Sequence, residues 1–169
     1  MIHVDFIRVC RADYANPSHA AALVAMLDAY ARDPMGGGEA LSEFARLNVV
    51  SELAKLPRAF SVLAFAGDGE ETPVGLVNCM QGFSTFACKP LVNVHDLAVS
   101  SGYRGQRIGE RMLELVEIMA RERGACKLTL EVLSGNASAI RLYARVGFAQ
   151  YELDPAAGHA GLMQKGLVY

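Results

Sequence analysis

Leu97-Ala98-Val99-Ser100-Ser101-Gly102-Tyr103-Arg104-Gly105-Gln106-Arg107-Ile108-Gly109 joins an apolar run to the most regular amphipathic stretch of the chain. Leu91 to Val99 reads as a strand. Behind the turn, Ile108, Met112, Leu115, Val116 and Met119 recur at three- and four-residue steps and predict a helix over 105–123. Arg121 and Arg123 suit its C-terminal end, and Gly124 stops it. A strand, a glycine-bearing turn and a strong helix make an anion site on physical grounds. First-turn N–H groups are unpaired, the macrodipole places about half a positive charge there, and glycines let phosphate oxygens approach the main chain. The turn is not a P-loop, because Gly-Lys-Ser/Thr is missing, and glycines at 102, 105 and 109 do not fit Gly-x-Gly-x-x-Gly. A pyrophosphate is the ligand it suits, and an ordinary strand-to-helix turn is the alternative that local residues leave open.

Outward from the turn the chain reads as alternating elements. Ile2 to Val9 is a strand, and Asn16-Pro17 starts a helix that carries Ala20, Val24, Leu27 and Ala31 on one face. Pro34-Met35-Gly36-Gly37-Gly38 ends it in a mobile loop. Leu41, Phe44, Ala45, Val49, Leu53 and Leu56 form the stripe of a second helix stopped by Pro57. Ala59 to Ala66 and Val74 to Phe83 read as a hairpin around Gly67-Asp68-Gly69. Downstream, Cys126 to Val132 alternates as a strand, Asn136 to Arg145 is helical, Gly147-Phe148 opens another strand, and Leu162 to Val168 forms the last. With no internal repeat, the order β-α-α-β-β-β-α-β-α-β-β predicts one α/β domain over residues 1–169.

Composition excludes several classes. The 169 residues are 52% apolar and 20% charged, which is incompatible with intrinsic disorder. Sixteen Lys and Arg against eighteen Asp and Glu give a net charge of -2, too balanced for a protein that neutralises many nucleic-acid phosphates. The start, MIHVDFIRVC, has no basic leader before a long apolar run, and Ala20 to Leu27 falls short of a bilayer span before Asp28. A cytoplasmic protein without membrane partners is expected. Cys10, Cys79, Cys88 and Cys126 form no CxxC pair, and His3, His19 and His159 are isolated, so neither a disulfide framework nor a metal site is expected.

Arg104-Gly105-Gln106-Arg107-Ile108-Gly109, following a strand, resembles the acetyl-CoA signature Arg/Gln-x-x-Gly-x-Gly/Ala of the Gcn5-related N-acetyltransferases (GNAT superfamily). Arg107 stands at the first glycine position of that signature. A side chain is easily accepted there if the residue is already helical with negative φ. A second match lies downstream: Asn136 precedes Tyr143 by seven residues, and Gly147-Phe148 follows. The similarity runs from about Val92 to Tyr151.

The resemblance implies a mixed twisted sheet of six or seven strands, splayed between the fourth and fifth, with four helices. It implies acetyl-CoA as cosubstrate, its phosphates on main-chain N–H groups of Arg104, Gly105, Gln106, Arg107, Ile108 and Gly109. The arginine side chains would add charge-assisted hydrogen bonds. The pantetheine arm would lie along Leu97, Ala98 and Val99 with main-chain bonds to Leu97 and Val99. Asn136 would bond the pantetheine region, and Tyr143 would donate a proton to the departing thiolate. An alkylamine of pKa about 10.4 is neutral in roughly one molecule in two thousand at pH 7, so the acceptor needs a base or a water relay. His95-Asp96, just ahead of the cofactor residues, is similar to the acidic pair of polyamine acetyltransferases. That makes His95 a candidate base and Asp96 a candidate for recognising a cationic amine or orienting water. Neighbouring strand residues face opposite ways, so both reach one substrate only at a strand irregularity. Direct transfer to a small-molecule primary amine is the expected reaction. A non-catalytic acyl-CoA sensor and an acetyltransferase of protein amines are the alternatives, and a homodimer through the last strands is a further implication of the family.

Overall fold

A computed structural model describes residues 6–67 and 71–167. The elements are β1 (Ile7–Arg11), α1 (Pro17–Arg32), α2 (Glu43–Ala54), β2 (Ala59–Ala66), β3 (Thr72–Ser84), β4 (Lys89–Val99), α3 (Ile108–Glu122), β5 (Leu128–Leu130) and α4 (Ala137–Arg145), with short 3-10 turns at Ser101–Tyr103 and Pro155–Ala157. Residues 2–5 of the first expected strand, Asp68-Gly69 of the expected hairpin turn and Val168 of the last expected strand lie outside the described residues. Two compact units divide the chain, Met1–Leu130 and Glu131–Tyr169.

The first unit holds one sheet in the order β1-β2-β3-β4-β5. The first three pairings are antiparallel and β4 pairs with β5 in parallel. β2 is buried at every position, which is why its apolar run marks the strand ends without error. Leu23 and Met26 of α1 and Leu53 of α2 pack on one face of the sheet with Leu63, Phe65 and Leu76. α3 packs on β1 to β4 and buries Ile108, Met112, Leu113, Val116 and Met119. The stripe read for α2 is only partly buried, since Phe44 and Leu56 remain exposed. Asn16 caps α1, its side chain accepting from the N–H groups of Ser18 and His19.

Two strands expected from the sequence do not form among the described residues. Gly147-Phe148 follows α4 as irregular chain, and no ladder includes residues 162–167, so the sheet has five strands among the described residues instead of six or seven. Apolar content suggested those strands, but Leu153, Leu162, Met163 and Leu167 are all exposed, and Pro155 and several glycines interrupt the run. Without a partner strand or a buried face, such residues gain nothing from extended pairing. The second unit is built on α4. Asn136 caps it by accepting from Ala139 N–H at 3.1 Å, and Tyr143 meets Phe148 edge-on at 5.8 Å between ring centroids.

No helix among the described residues is long and apolar enough to cross a membrane. Those residues also contain no group of three or more His, Cys, Asp or Glu placed to hold a metal ion.

Candidate active site

The site is organised by one irregularity in β4. Its register with β3 runs Asn78↔Asp96 and then Cys79↔Val94, which leaves His95 as an extra residue in a bulge. Below the bulge the main chain of β4 faces β5: Val92 N–H donates to the Lys127 carbonyl, and the Pro90 carbonyl accepts from Cys126 N–H. Above it, Ser100 N–H donates to the Val74 carbonyl on β3. Polar main-chain groups alternate in direction along an antiparallel strand, so Ala98 faces β3 with Ser100, while Leu97 and Val99 face the opposite edge. On that edge the β4–β5 ladder stops at Val94↔Leu130, so among the described residues no ladder pairs residues 95–99 there. The Val99 carbonyl lies on that edge and accepts from Arg104 Nε at 3.1 Å.

Arg104 spans from that carbonyl to Asp33, the C-cap of α1, with Nη2 at 3.0 Å from Oδ2. The Asp33 carboxyl lies below the usual carboxylate range because Met35 N–H and then Arg104 hydrogen-bond it. The loop read as mobile is tied down: Gly36 and Gly38 N–H both donate to the Asp33 carbonyl, and Glu39 N–H to that of Ala31. A Cβ on Gly36 would sit 1.9 Å from the Tyr30 carbonyl oxygen, so only glycine permits this approach.

At the turn itself Gly105 has φ +82° and Arg107, the N-cap of α3, has φ +60°. The arginine at the first glycine position is left-handed, against the negative φ that would have made a side chain easy there. For an L-residue this conformation costs about 1–2 kcal/mol. Arg107 makes no side-chain cap, and its ion pair with Glu110 is long, at 3.9 Å. The N-cap side chain thus takes none of the first-turn amides of α3. Residues 104–107 are exposed, whereas Ile108 and Gly109 are buried.

Asp96 is half-buried and His95 exposed. Asp96 Oδ2 accepts from Asn78 Nδ2 at 3.0 Å, Asn78 Oδ1 from Ser61 Oγ at 2.6 Å, and Tyr14 OH lies 2.9 Å from Ser61 Oγ. Burial and then the charges of Asp96 and Asp33 raise the Tyr30 phenol, so it remains a proton-bearing donor. Sequence reading missed Tyr14, Tyr30, Ser61 and Asn78. The signal available was a lone polar residue inside each of two apolar runs, Phe60-Ser61-Val62 and Val77-Asn78-Cys79. Asn136 and Tyr143 belong to the second unit, where Asn136 is the α4 cap and Tyr143 is half-buried against Phe148.

Residues 23–148 match the model of the acetyltransferase (GNAT) family. The chain belongs to that family. This GNAT chain is 40% identical over 86 residues to streptothricin acetyltransferase of Streptomyces lavendulae, over 49% of its own length and 46% of that protein's. The match thus spans less than half of that relative. The crystal structure of a probable acetyltransferase superposes with a TM-score of 0.74 at 21% identity, covering 94% of the GNAT chain and 99% of the other. AAC(6')-Iy, solved in complex with the bisubstrate analogue CoA-S-monomethyl-acetylneamine, superposes with a TM-score of 0.73 at 12% identity, covering 96% and 99%. At such identities these structures establish the shared α/β fold.

Proposed function

We propose that the protein is an acetyl-CoA-dependent N-acetyltransferase that acetylates a primary amine of a small cationic molecule directly, in a ternary complex. The observation that carries this reading is the edge of β4 beyond Val94, which no ladder pairs among the described residues, followed by a helix whose N-cap, Arg107, supplies no side-chain cap. An extended arm ending in a diphosphate fits such a strand edge and helix start. Family membership supports it, as does the bisubstrate analogue bound by the structural neighbour. Acetyl-CoA supplies the acetyl group as a thioester.

Each residue then has a role in this chain. The main-chain groups of Leu97 and Val99 hold the arm, and the amides of residues 105–109 hold the diphosphate. Arg104, tethered by Asp33, keeps a positive charge beside the turn. Asp96 receives the acceptor's ammonium group and His95 at the bulge takes its proton. Asn136 bonds the pantetheine region, and Tyr143 donates a proton to the leaving thiolate. The test is incubation with acetyl-CoA and a panel of polyamines, aminoglycosides, streptothricin and a lysine peptide, with free thiol as readout. Release with a small cationic amine is expected. Tight CoA binding without release on any acceptor would instead mark a non-catalytic acyl-CoA sensor.

A further inference from the structure

Ser61 and Asn78 are the two buried polar residues among those described, at 1% and 3% exposure. They stand directly opposite each other on β2 and β3, and Asn78 stands opposite Asp96 on β4. Ala12 N–H donates to the Ser61 carbonyl, which brings Tyr14 to the end of the same cross-strand row. Four polar side chains thus cross the sheet on the face covered by α1 and α2. A pair of valines would fill positions 61 and 78 without hiding a hydroxyl and an amide from water. Satisfied buried polar pairs add little net stability, and an unsatisfied member costs about 1–3 kcal/mol. Fold stability alone therefore does not account for the row.

The direction of its hydrogen bonds does. A carboxylate only accepts, so Asn78 must turn its Nδ2 to Asp96 and its Oδ1 to Ser61. Ser61 then spends its one hydroxyl hydrogen on Asn78, and Tyr14 must donate to Ser61. Burial raises the Tyr14 phenol, which keeps that hydrogen in place. Three donors in series end on a single charge, and such chains strengthen as they polarise. Asn78 is the only side-chain hydrogen-bond partner of Asp96 among the described residues, and it takes one oxygen, leaving the other unclaimed. Tyr30 on α1, Cys79 on β3 and His95 beside it are the titratable groups around that carboxylate.

We propose that Tyr14, Ser61 and Asn78 are positioning residues that hold the Asp96 carboxylate as the docking point for the acceptor's ammonium group. The proposal rests on the N-acetyltransferase reading and specifies how the amine, not the cofactor, is recognised. Neither Tyr14 nor Ser61 touches substrate, so each acts only through Asn78.

The experiment compares Tyr14→Phe, Ser61→Ala and Ser61→Thr with the unmodified chain, using the best amine from the panel and, for binding without turnover, spermidine added to CoA-saturated protein. Tyr14→Phe removes one hydroxyl at the far end of the row and serves where Ser61→Ala fails to fold. Each broken link is expected to raise the amine KM and the spermidine Kd about five- to tenfold, the worth of one hydrogen bond in a charge-terminated chain. The acetyl-CoA KM and kcat should stay within about twofold, and Ser61→Thr, which keeps a hydroxyl, should recover most of the loss. Active variants with an unchanged amine KM would overturn the inference alone, as would equal losses in amine and acetyl-CoA terms. Unmodified protein that binds CoA yet neither binds nor acetylates any amine would overturn the N-acetyltransferase reading together with it.

Discussion

Arg107 offers a test in which the sign of the answer is decided by one dihedral angle. Glycine in place of alanine ordinarily destabilises a folded chain by about 0.5–1 kcal/mol, because glycine has more freedom to lose. At φ +60° the preference reverses, since a Cβ in the left-handed region costs about 1–2 kcal/mol and glycine carries no such cost. The two effects leave Arg107→Gly more stable than Arg107→Ala by about 0.5–1 kcal/mol, or about 1–4 °C in Tm for a chain of this length. Both variants lose the same exposed guanidinium and the same long ion pair to Glu110, so the comparison cancels side-chain terms. Urea midpoints at matched slopes and thermal melts measure the difference directly. An alanine variant as stable as the glycine variant would refute the left-handed assignment. Calorimetry with CoA adds a second reading. If main-chain amides hold the diphosphate, Arg107→Gly keeps its CoA affinity within about threefold, whereas a side-chain clamp would forfeit about tenfold or more in both variants.

Other perturbations probe separate parts of the molecule. Tyr143→Phe should lower kcat by about 10² to 10⁴ where chemistry is rate-limiting, with CoA affinity retained, and an unchanged single-turnover rate removes the proton-donor role. Burial pushes the Cys79 thiol up to about 12, so at neutral pH a thiol reagent should label exposed Cys88 and Cys126 quickly and Cys79 only on unfolding; prompt labelling of Cys79 in folded protein contradicts that burial. Asp33 is held below its ordinary value by Met35 N–H and Arg104, so its contribution to stability is complete above the ordinary carboxylate pKa and disappears as pH falls through the folded value. Arg104→Ala should therefore be less stable near neutrality and lose less on acidification, and parallel stability-against-pH curves would deny the coupling. Gly36→Ala drives a Cβ into the Tyr30 carbonyl and should destabilise by about 1–3 kcal/mol, read as a fall in Tm; a neutral result would mean that the loop after α1 yields freely.

Sequence reading succeeded where one strand or helix carries its own evidence. The ends of β2 are legible because every residue of Ala59–Ala66 is buried, and α3 because Ile108, Met112, Val116 and Met119 share one face. Leu162, Met163 and Leu167 misled because apolar character signals a strand only when a partner covers it, and pairing is a property of the whole chain. The glycine-bearing turn before α3 was legible in composition yet not in conformation: an arginine at a glycine position carries no mark of whether its φ is negative. The row from Tyr14 to Asp96 was invisible for a different reason. Its members are separated by 17 to 47 residues and meet only through the register of three ladders, which no local pattern encodes.

The His95 bulge links these parts. If the same residues ran through position 95 in strict alternation, with no bulge, the main chain of Leu97 and Val99 would face β3 and that of Ala98 the other edge. The side chain of Asp96 would also pass to the α3 face, away from Asn78 and Ser61. One inserted residue therefore makes two adjustments together: it presents alternate amides and carbonyls where β5 has ended, and it delivers a carboxylate to the opposite layer, where Asn78 can hold it. The proposed cofactor edge and the proposed amine site share residues 95–99, and both depend on the irregularity at His95. A bulge costs a ladder hydrogen bond and a local bend. Deleting His95 should restore a regular ladder in which Asn78↔Asp96 directly follows Cys79↔Val94, so residues 96–99 keep their facing and calorimetry with CoA should find its affinity retained, while the residue proposed as base is lost.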